Sequence, residues 1–221
     1  METQPKVRVV LVEDHPMFRE QLRQLISKEP DMCVCGEADN RQQALELLES
    51  VPVDIMIVDL TLKGSNGLEL IKELKAREIE VPVLVLSMHE ELLYAERVLR
   101  AGARGYITKH ETSNEVMAAI RKVLNGQVYL GSDMAARVLE NFSTRRENEN
   151  GVSVLTDREL EIFELIGRGR STRQISASLR LSMSTVDTYR TRIKAKLNLE
   201  NATQLCHEAI RWVSAGQKAS A

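Results

Sequence analysis

The sequence predicts a doubly wound α/β domain, with a five-stranded parallel sheet in the order 2-1-3-4-5, followed by an all-α helix-turn-helix bundle. Three observations predict it. Short apolar runs alternate with amphipathic helical stretches over residues 7–126. A polar segment then interrupts the pattern, and no strand-like run recurs after Leu155.

The predicted strands are Val7–Val12, Met32–Gly36, Ile55–Val58, Val83–Leu86 and Gly105–Thr108. Most are rich in Val, Ile and Leu and do not alternate with polar residues, as strands buried on both faces should be. Between them run apolar stripes of helical period: Phe18, Leu22, Leu25 and Ile26; Ala44, Leu45, Leu47 and Leu48; Leu68, Ile71 and Leu74; Leu92, Leu93, Ala95, Val98 and Leu99; Val116, Ala119, Ile120, Val123 and Leu124. Strand–helix repetition gives a parallel sheet covered on both faces. Right-handed crossovers leave few strand orders, of which 2-1-3-4-5 is the common one. Gly67 precedes the third helix, and Gly102 and Gly126 stand where the fourth and fifth end.

We therefore divide the chain into a first domain at 1–130, a linker at 131–151, a second domain at 152–214 and a disordered tail at 215–221. Ser132–Phe142 has the pattern of a short helix. Ser143–Gly151 is polar and charged with no apolar residue and reads as a flexible connection.

Hydrophobic residues make up 43% and charged residues 28%, a globular balance. No uncharged apolar stretch approaches the ~18 residues that span a bilayer, and Met1–Lys6 does not open a signal peptide. The expected location is the cytoplasm, with no membrane partner. Cys33 and Cys35 point to one face of a strand, and with Cys206 they are read as small apolar side chains, because further metal ligands are lacking nearby. No Walker-type loop and no G-x-G-x-x-G follows a strand, which removes nucleotide chemistry from consideration.

Ligands of such sheets bind at the carboxyl ends of the strands. Glu13 and Asp14 follow the first strand, Asp59 the third, Ser87 the fourth and Lys109 the fifth. The predicted order brings these tips together: three carboxylates, a hydroxyl and an ammonium. Clustered carboxylates need a cation, and oxygen ligands with room for water and phosphate suit Mg²⁺. A carboxylate attacking phosphorus would give an aspartyl phosphate, with Lys109 and Ser87 on its oxygens.

The motifs Leu11-Val12-Glu13-Asp14-His15, Ile57-Val58-Asp59-Leu60, Leu86-Ser87 and Gly105-Tyr106-Ile107-Thr108-Lys109 resemble the flavodoxin-like receiver domain of two-component signalling. The resemblance implies phosphorylation of Asp59 by a sensor histidine kinase, and Mg²⁺ on Glu13, Asp14, Asp59 and the backbone carbonyl of Thr61. It also implies a switch pair of Ser87 and Tyr106, in which the tyrosine ring turns inward. Lys63 departs from the proline that many receivers carry there, which should loosen the following loop.

In the second domain, Thr156 and Glu159 form a capping box. Leu160, Ile162, Phe163 and Ile166 form one apolar face. Ser171 caps a helix that buries Ile175 and Leu179, Arg180–Met183 make the turn, and Ser184 caps a third helix that buries Val186, Ile193 and Leu197. Thr185, Asp187, Thr188, Arg190, Thr191, Arg192 and Lys194 are left for DNA. Residues 152–221 have net charge +4 and the rest −6; within 168–196 eight cations face a single acid, Asp187. A basic cluster points to a polyanion.

Leu155-Thr156-Asp157-Arg158-Glu159, Leu181-Ser182-Met183-Ser184-Thr185-Val186 and Ile193-Lys194-Ala195-Lys196-Leu197 resemble the LuxR-type helix-turn-helix. The whole chain is thus similar to a NarL/FixJ-type response regulator: a regulator rather than an enzyme, binding double-stranded DNA and forming a homodimer on activation. Asp187 stands where the family commonly has lysine, and Tyr189 where histidine is frequent. The resemblance makes the final helix, with Leu205, Ala209 and Trp212, a dimerisation element; closure of the bundle is the other reading, and the two are compatible. Two further alternatives are a receiver-like module governed by partner binding without phosphorylation, and an aspartate-nucleophile phosphatase. The latter is disfavoured because Thr61 replaces the second Asp of the D-x-D motif.

Overall fold

Five parallel strands carry the first unit. In the computed structural model they are β1 (Val7–Val12), β2 (Met32–Ala38), β3 (Ile55–Val58), β6 (Val83–Ser87) and β7 (Gly105–Thr108), and they pair in the order β2-β1-β3-β6-β7. This is the order 2-1-3-4-5 that the sequence predicts. The structure describes residues 5–63, 65–88, 92–131, 134–135 and 151–218. Helices α1 (Pro16–Ser27), α2 (Arg41–Ser50), α3 (Gly67–Ala76), α4 (Leu92–Ala101) and α5 (Ser113–Leu124) are the connections.

Burial explains the missing alternation. All four residues of β3 and all five of β6 are buried, so both faces select Val, Ile and Leu. On one face Val9, Leu11, Ile55, Ile57, Leu84, Leu86 and Ile107 meet Leu22 and Ile26 of α1 and Val116, Ile120 and Val123 of α5.

Two features were not foreseen. A sixth strand, β8 (Tyr129–Leu130), adds parallel to β7. β4 (Thr61–Leu62) and β5 (Ser65–Asn66) form an antiparallel hairpin after Asp59. Each strand has two residues, too few for a period. Gly67 is the first residue of α3 and not its predecessor; Asn66 is the cap, its side chain accepting from the Leu68 N–H at 2.8 Å.

The second unit, described by itself, consists of a short 3₁₀ turn (Val152–Val154) and helices α6 (Asp157–Gly167), α7 (Thr172–Leu179), α8 (Met183–Lys196) and α9 (Ala202–Lys218). Its core holds Leu160, Phe163, Ile175, Val186, Ile193, Leu205 and Ala209, all fully buried. The capping boxes at Thr156/Glu159 and Ser171/Gln174 are formed.

Here the structure corrects two expectations. The cap of α8 is Ser182, whose Oγ accepts from the Thr185 N–H at 3.0 Å. Ser184 already lies inside the first turn, because a capping hydroxyl serves the N–H three residues ahead. The last helix continues to Lys218 and so runs past the expected end at 214. Ala215, Gln217 and Lys218 all favour helix and outweigh Gly216. The helix expected at Ser132–Phe142 lies outside the described residues except for 134–135, which are helical. The linker segment 143–150 and residues 219–221 also lie outside them.

Candidate functional site

The strand tips are fixed by ladder bonds that run one residue beyond the strands. The Glu13 N–H donates to Ala38 O at 2.9 Å, the Asp59 N–H to Val12 O at 2.9 Å and the Lys109 N–H to Ser87 O at 2.8 Å. Backbone pairing alone therefore sets where these side chains start.

They meet in a buried cleft. Lys109 Nζ donates to Glu13 Oε2 at 2.6 Å and to Asp59 Oδ2 at 2.8 Å. The Lys109, Glu13 and Asp59 side chains are 4%, 2% and 3% exposed, so the ammonium attracts two carboxylates that water does not screen. The ring of Phe18 on α1 lies 4.5 Å from Lys109 Nζ and covers it. Burial lifts the Asp59 carboxyl to about 6; the Lys109 ammonium pulls it down, the Glu13 charge pushes it up, and the Thr61 backbone N–H stabilises the ionised form.

One ligand atom from each of Glu13, Asp14, His15 and Asp59 lies within 4.8 Å of the others. Three carboxylates of this spacing fit a hard divalent cation. His15 is the member that the strand-end reading missed. Its Nδ1 is 3.0 Å from Glu13 Oε1 and 2.9 Å from Asp14 Oδ1, and its N–H also donates to Glu13 at 3.0 Å. The signal was its adjacency to Asp14.

Ser87 and Tyr106 are both fully buried. The outward, solvent-facing tyrosine from which an inward rotation would begin is therefore not the position the structure holds. Lys63 stands in the loop after Asp59. Its N–H donates to Asp39 O at 3.3 Å and its ammonium reaches Asp39 Oδ2 at 3.4 Å, so lysine replaces a rigid ring with an ion pair to the end of β2.

Behind Asp59 the backbones nearly touch. A Cβ on Gly67 would stand 2.1 Å from the Asp59 carbonyl oxygen, and the Gly67 N–H donates to Leu60 O at 2.8 Å. Only glycine admits this approach.

In the second unit α8 turns Val186 and Ile193 inward and leaves Asp187, Thr188, Thr191 and Arg192 exposed. Thr185, Arg190 and Lys194 are half-buried. Arg190 Nη1 donates to Thr172 Oγ1 at 3.3 Å, and the Thr185 hydroxyl lies 2.7 Å from that of Ser182. The residues expected at a dimer contact also pack within the bundle. Leu205 and Ala209 are fully buried, and the Trp212 ring packs 5.9 Å from that of Phe163 on α6. Trp212 is half-buried and keeps part of its ring at the surface. Among the described residues of α9, Ile210 is the exposed large apolar one, at 49%.

An α/β domain that gathers carboxylates and a lysine at its strand tips, followed by a helix-turn-helix bundle, defines a signal-receiving DNA-binding regulator. The comparisons specify it. Residues 9–121 match the model of the response regulator receiver domain, and residues 153–209 match that of the bacterial regulatory proteins of the LuxR family. The chain is 33% identical to the response regulator UvrY of Escherichia coli K12, over 93% of this chain and 94% of that one. It is 32% identical to the nitrate/nitrite response regulator protein NarL of the same organism, over 96% and 97%. A solved two-component response regulator of the LuxR family from Aurantimonas sp. SI85-9A1 is 33% identical with TM-score 0.60, covering 62% of this chain and 99% of that one. RcsB from Salmonella enterica serovar Typhimurium, bound to promoter rprA in the presence of phosphomimetic BeF3⁻, is 22% identical with TM-score 0.61, over 92% and 98%, and shows the shared fold. The chain belongs to the response regulator family, as a transcription regulator with a receiver and a LuxR-type DNA-binding domain, homologous to phosphorylation-dependent regulators. Among the described residues no helix is long and apolar enough to cross a membrane.

Proposed function

We propose that Asp59 is the phosphoryl acceptor of this regulator, charged by a sensor histidine kinase in the cytoplasm, and that its phosphorylation controls dimerisation and binding to double-stranded DNA. The observation that carries the reading is the Lys109 bridge to Glu13 and Asp59 in a buried cleft.

An Asp59 oxygen attacks phosphorus, the phosphorus–nitrogen bond of the donor phosphohistidine breaks, and the released imidazole takes a proton. Glu13, Asp14, Asp59 and the Thr61 carbonyl would hold Mg²⁺, which would draw charge from the phosphoryl oxygens. Lys109 leaves its carboxylate partners to pair with one phosphoryl oxygen, and Ser87 donates to another. Ser87 and the buried Tyr106 of β7 are the proposed switch pair that carries the change from the site.

Phosphorylation adds about 1.5–2 negative charges at one strand end. The output is a shift in population, with the receiver regulating rather than turning over substrate. On DNA, α8 supplies Asp187, Thr188, Thr191 and Arg192 at its exposed face, with Thr185, Arg190 and Lys194 at the flanks. The homodimer contact on α9 falls on the face that carries Ile210.

A small phosphodonor with Mg²⁺ tests this. The protein should gain the mass of one phosphate as an alkali-labile, persistent mark, and Asp59→Asn should gain none. Continuous release of inorganic phosphate without an accumulated mark would point to a phosphatase instead.

A further inference from the structure

The outer face of α8 is almost devoid of donors. Val186 and Ile193 define its buried side. At 100° per residue the opposite side carries Ser184, Asp187, Thr188, Thr191, Arg192 and Ala195, and all six are exposed. The two threonines cannot donate outward in this arrangement. Thr188 Oγ1 donates to Ser184 O at 2.9 Å and Thr191 Oγ1 to Asp187 O at 3.0 Å. Each is left with a methyl group and lone pairs. Arg192 is the cationic donor on this face, its guanidinium 5.9 Å from the Tyr189 ring centroid, and the Ser184 hydroxyl shares a hydrogen bond with that of Ser182 at 2.8 Å.

Asp187 differs from the acids around it. Glu159 is held by Lys196 at 2.6 Å and Glu164 by Arg168 at 2.6 Å. Among the described residues Asp187 makes no ion pair, although it is the single acid within 168–196. An exposed carboxylate aimed at a polyanion opposes binding unless it meets a donor. In the major groove guanine offers N7 and O6 and thymine offers O4, all acceptors. Adenine pairs its amine with the N7 acceptor, and cytosine offers its amine alone. A carboxylate is repelled by the first two, partly opposed by the third and satisfied by the fourth.

We propose that Asp187 is the base-selecting residue of the helix-turn-helix and reads cytosine. The inference rests on the reading of α8 as the DNA-contacting helix. Asp187 then works mainly by exclusion, weakening the protein on unrelated duplex and restoring affinity where a cytosine amine faces it.

The test is selection from a randomised duplex library with the full-length protein, phosphodonor-treated and untreated, as wild type, Asp187→Asn and Asp187→Ala. Single-base-pair variants of the selected duplex are then titrated. Wild type should require cytosine at one position of each half-site, losing about tenfold or more in affinity on replacement. Asp187→Asn should prefer adenine there, since an amide pairs with N6 and N7 together. Asp187→Ala should accept any base and bind unrelated duplex several-fold more tightly than wild type. If both variants select the wild-type motif with the same base preferences, or if wild type binds duplex without preference, the inference is overturned and the DNA-binding reading stands. If wild type binds no duplex in either state, the DNA-binding reading falls and the inference falls with it. Equal weakening of the variants on all duplexes, with altered helicity, would make Asp187 structural and overturn the proposal.

Discussion

Lys109 Nζ stands 2.8 Å from Asp59 Oδ2 and, from the same nitrogen, 2.6 Å from Glu13 Oε2. One ammonium thus bridges two buried carboxylates and offsets one of their two charges. Removing it leaves them uncompensated, which costs about 3–5 kcal/mol for a buried pair. Lys109→Met should therefore lose about 3 kcal/mol of receiver stability in chelator and regain most of it with Mg²⁺. Urea denaturation with and without the cation measures this, and a loss independent of Mg²⁺ would count against the shared cleft.

The raised Asp59 carboxyl gives a pH dependence. Its folded value of about 6 lies above the unfolded value of about 3.9. Between them the folded state holds the proton more tightly, so the metal-free receiver gains stability as pH falls through 6. The proton competes with a cation for the same oxygens. Mg²⁺ affinity should be flat above pH 6 and fall about tenfold per pH unit below it, with a proton released on binding. Calorimetry in buffers of different ionisation enthalpy reads both quantities.

Gly67 backs the Asp59 carbonyl with no room for a methyl group. Gly67→Ala should cost about 3 kcal/mol, at the upper end for overpacking, and should slow phosphorylation by displacing the acceptor. Denaturation and the rate of mass gain should change together; wild-type values in both would contradict the close approach.

On α9, stability and association should separate. Leu205 is fully buried, and Leu205→Ala should destabilise the bundle by about 2–5 kcal/mol. Ile210 is exposed, and Ile210→Ser should change stability by less than about 0.5 kcal/mol while reducing the dimer fraction. Denaturation and sedimentation equilibrium distinguish the two positions.

The sheet was legible because strands buried on both faces lose their alternation, and the site was legible because strand order converts distant residues into neighbours. Glu13, Asp59 and Lys109 are 46 and 50 positions apart along the chain and meet through the register of β1, β3 and β7. Short elements such as Thr61–Leu62 and Tyr129–Leu130 escaped because their pairing depends on tertiary neighbours. The Ser182 cap was misplaced by two residues because Ser182 and Ser184 offer the same hydroxyl, and only the backbone chooses between them. The apolar stripe of α9 was visible and allowed both bundle closure and dimerisation; the structure buries Leu205 and Ala209 and leaves Trp212 half-buried. The pairing of Lys63 with Asp39 joins two loops, and no local pattern announces it.

The central claim is that a phosphoryl group on Asp59 governs DNA binding. The direct measurement is titration of the full-length protein against its selected duplex, with sedimentation in parallel, before and after phosphodonor treatment, for wild type and Asp59→Asn. Affinity and dimer fraction should rise together in wild type, and neither should change in Asp59→Asn. An equal response in Asp59→Asn, or a fully phosphorylated wild type whose affinity and assembly do not move, would contradict the account.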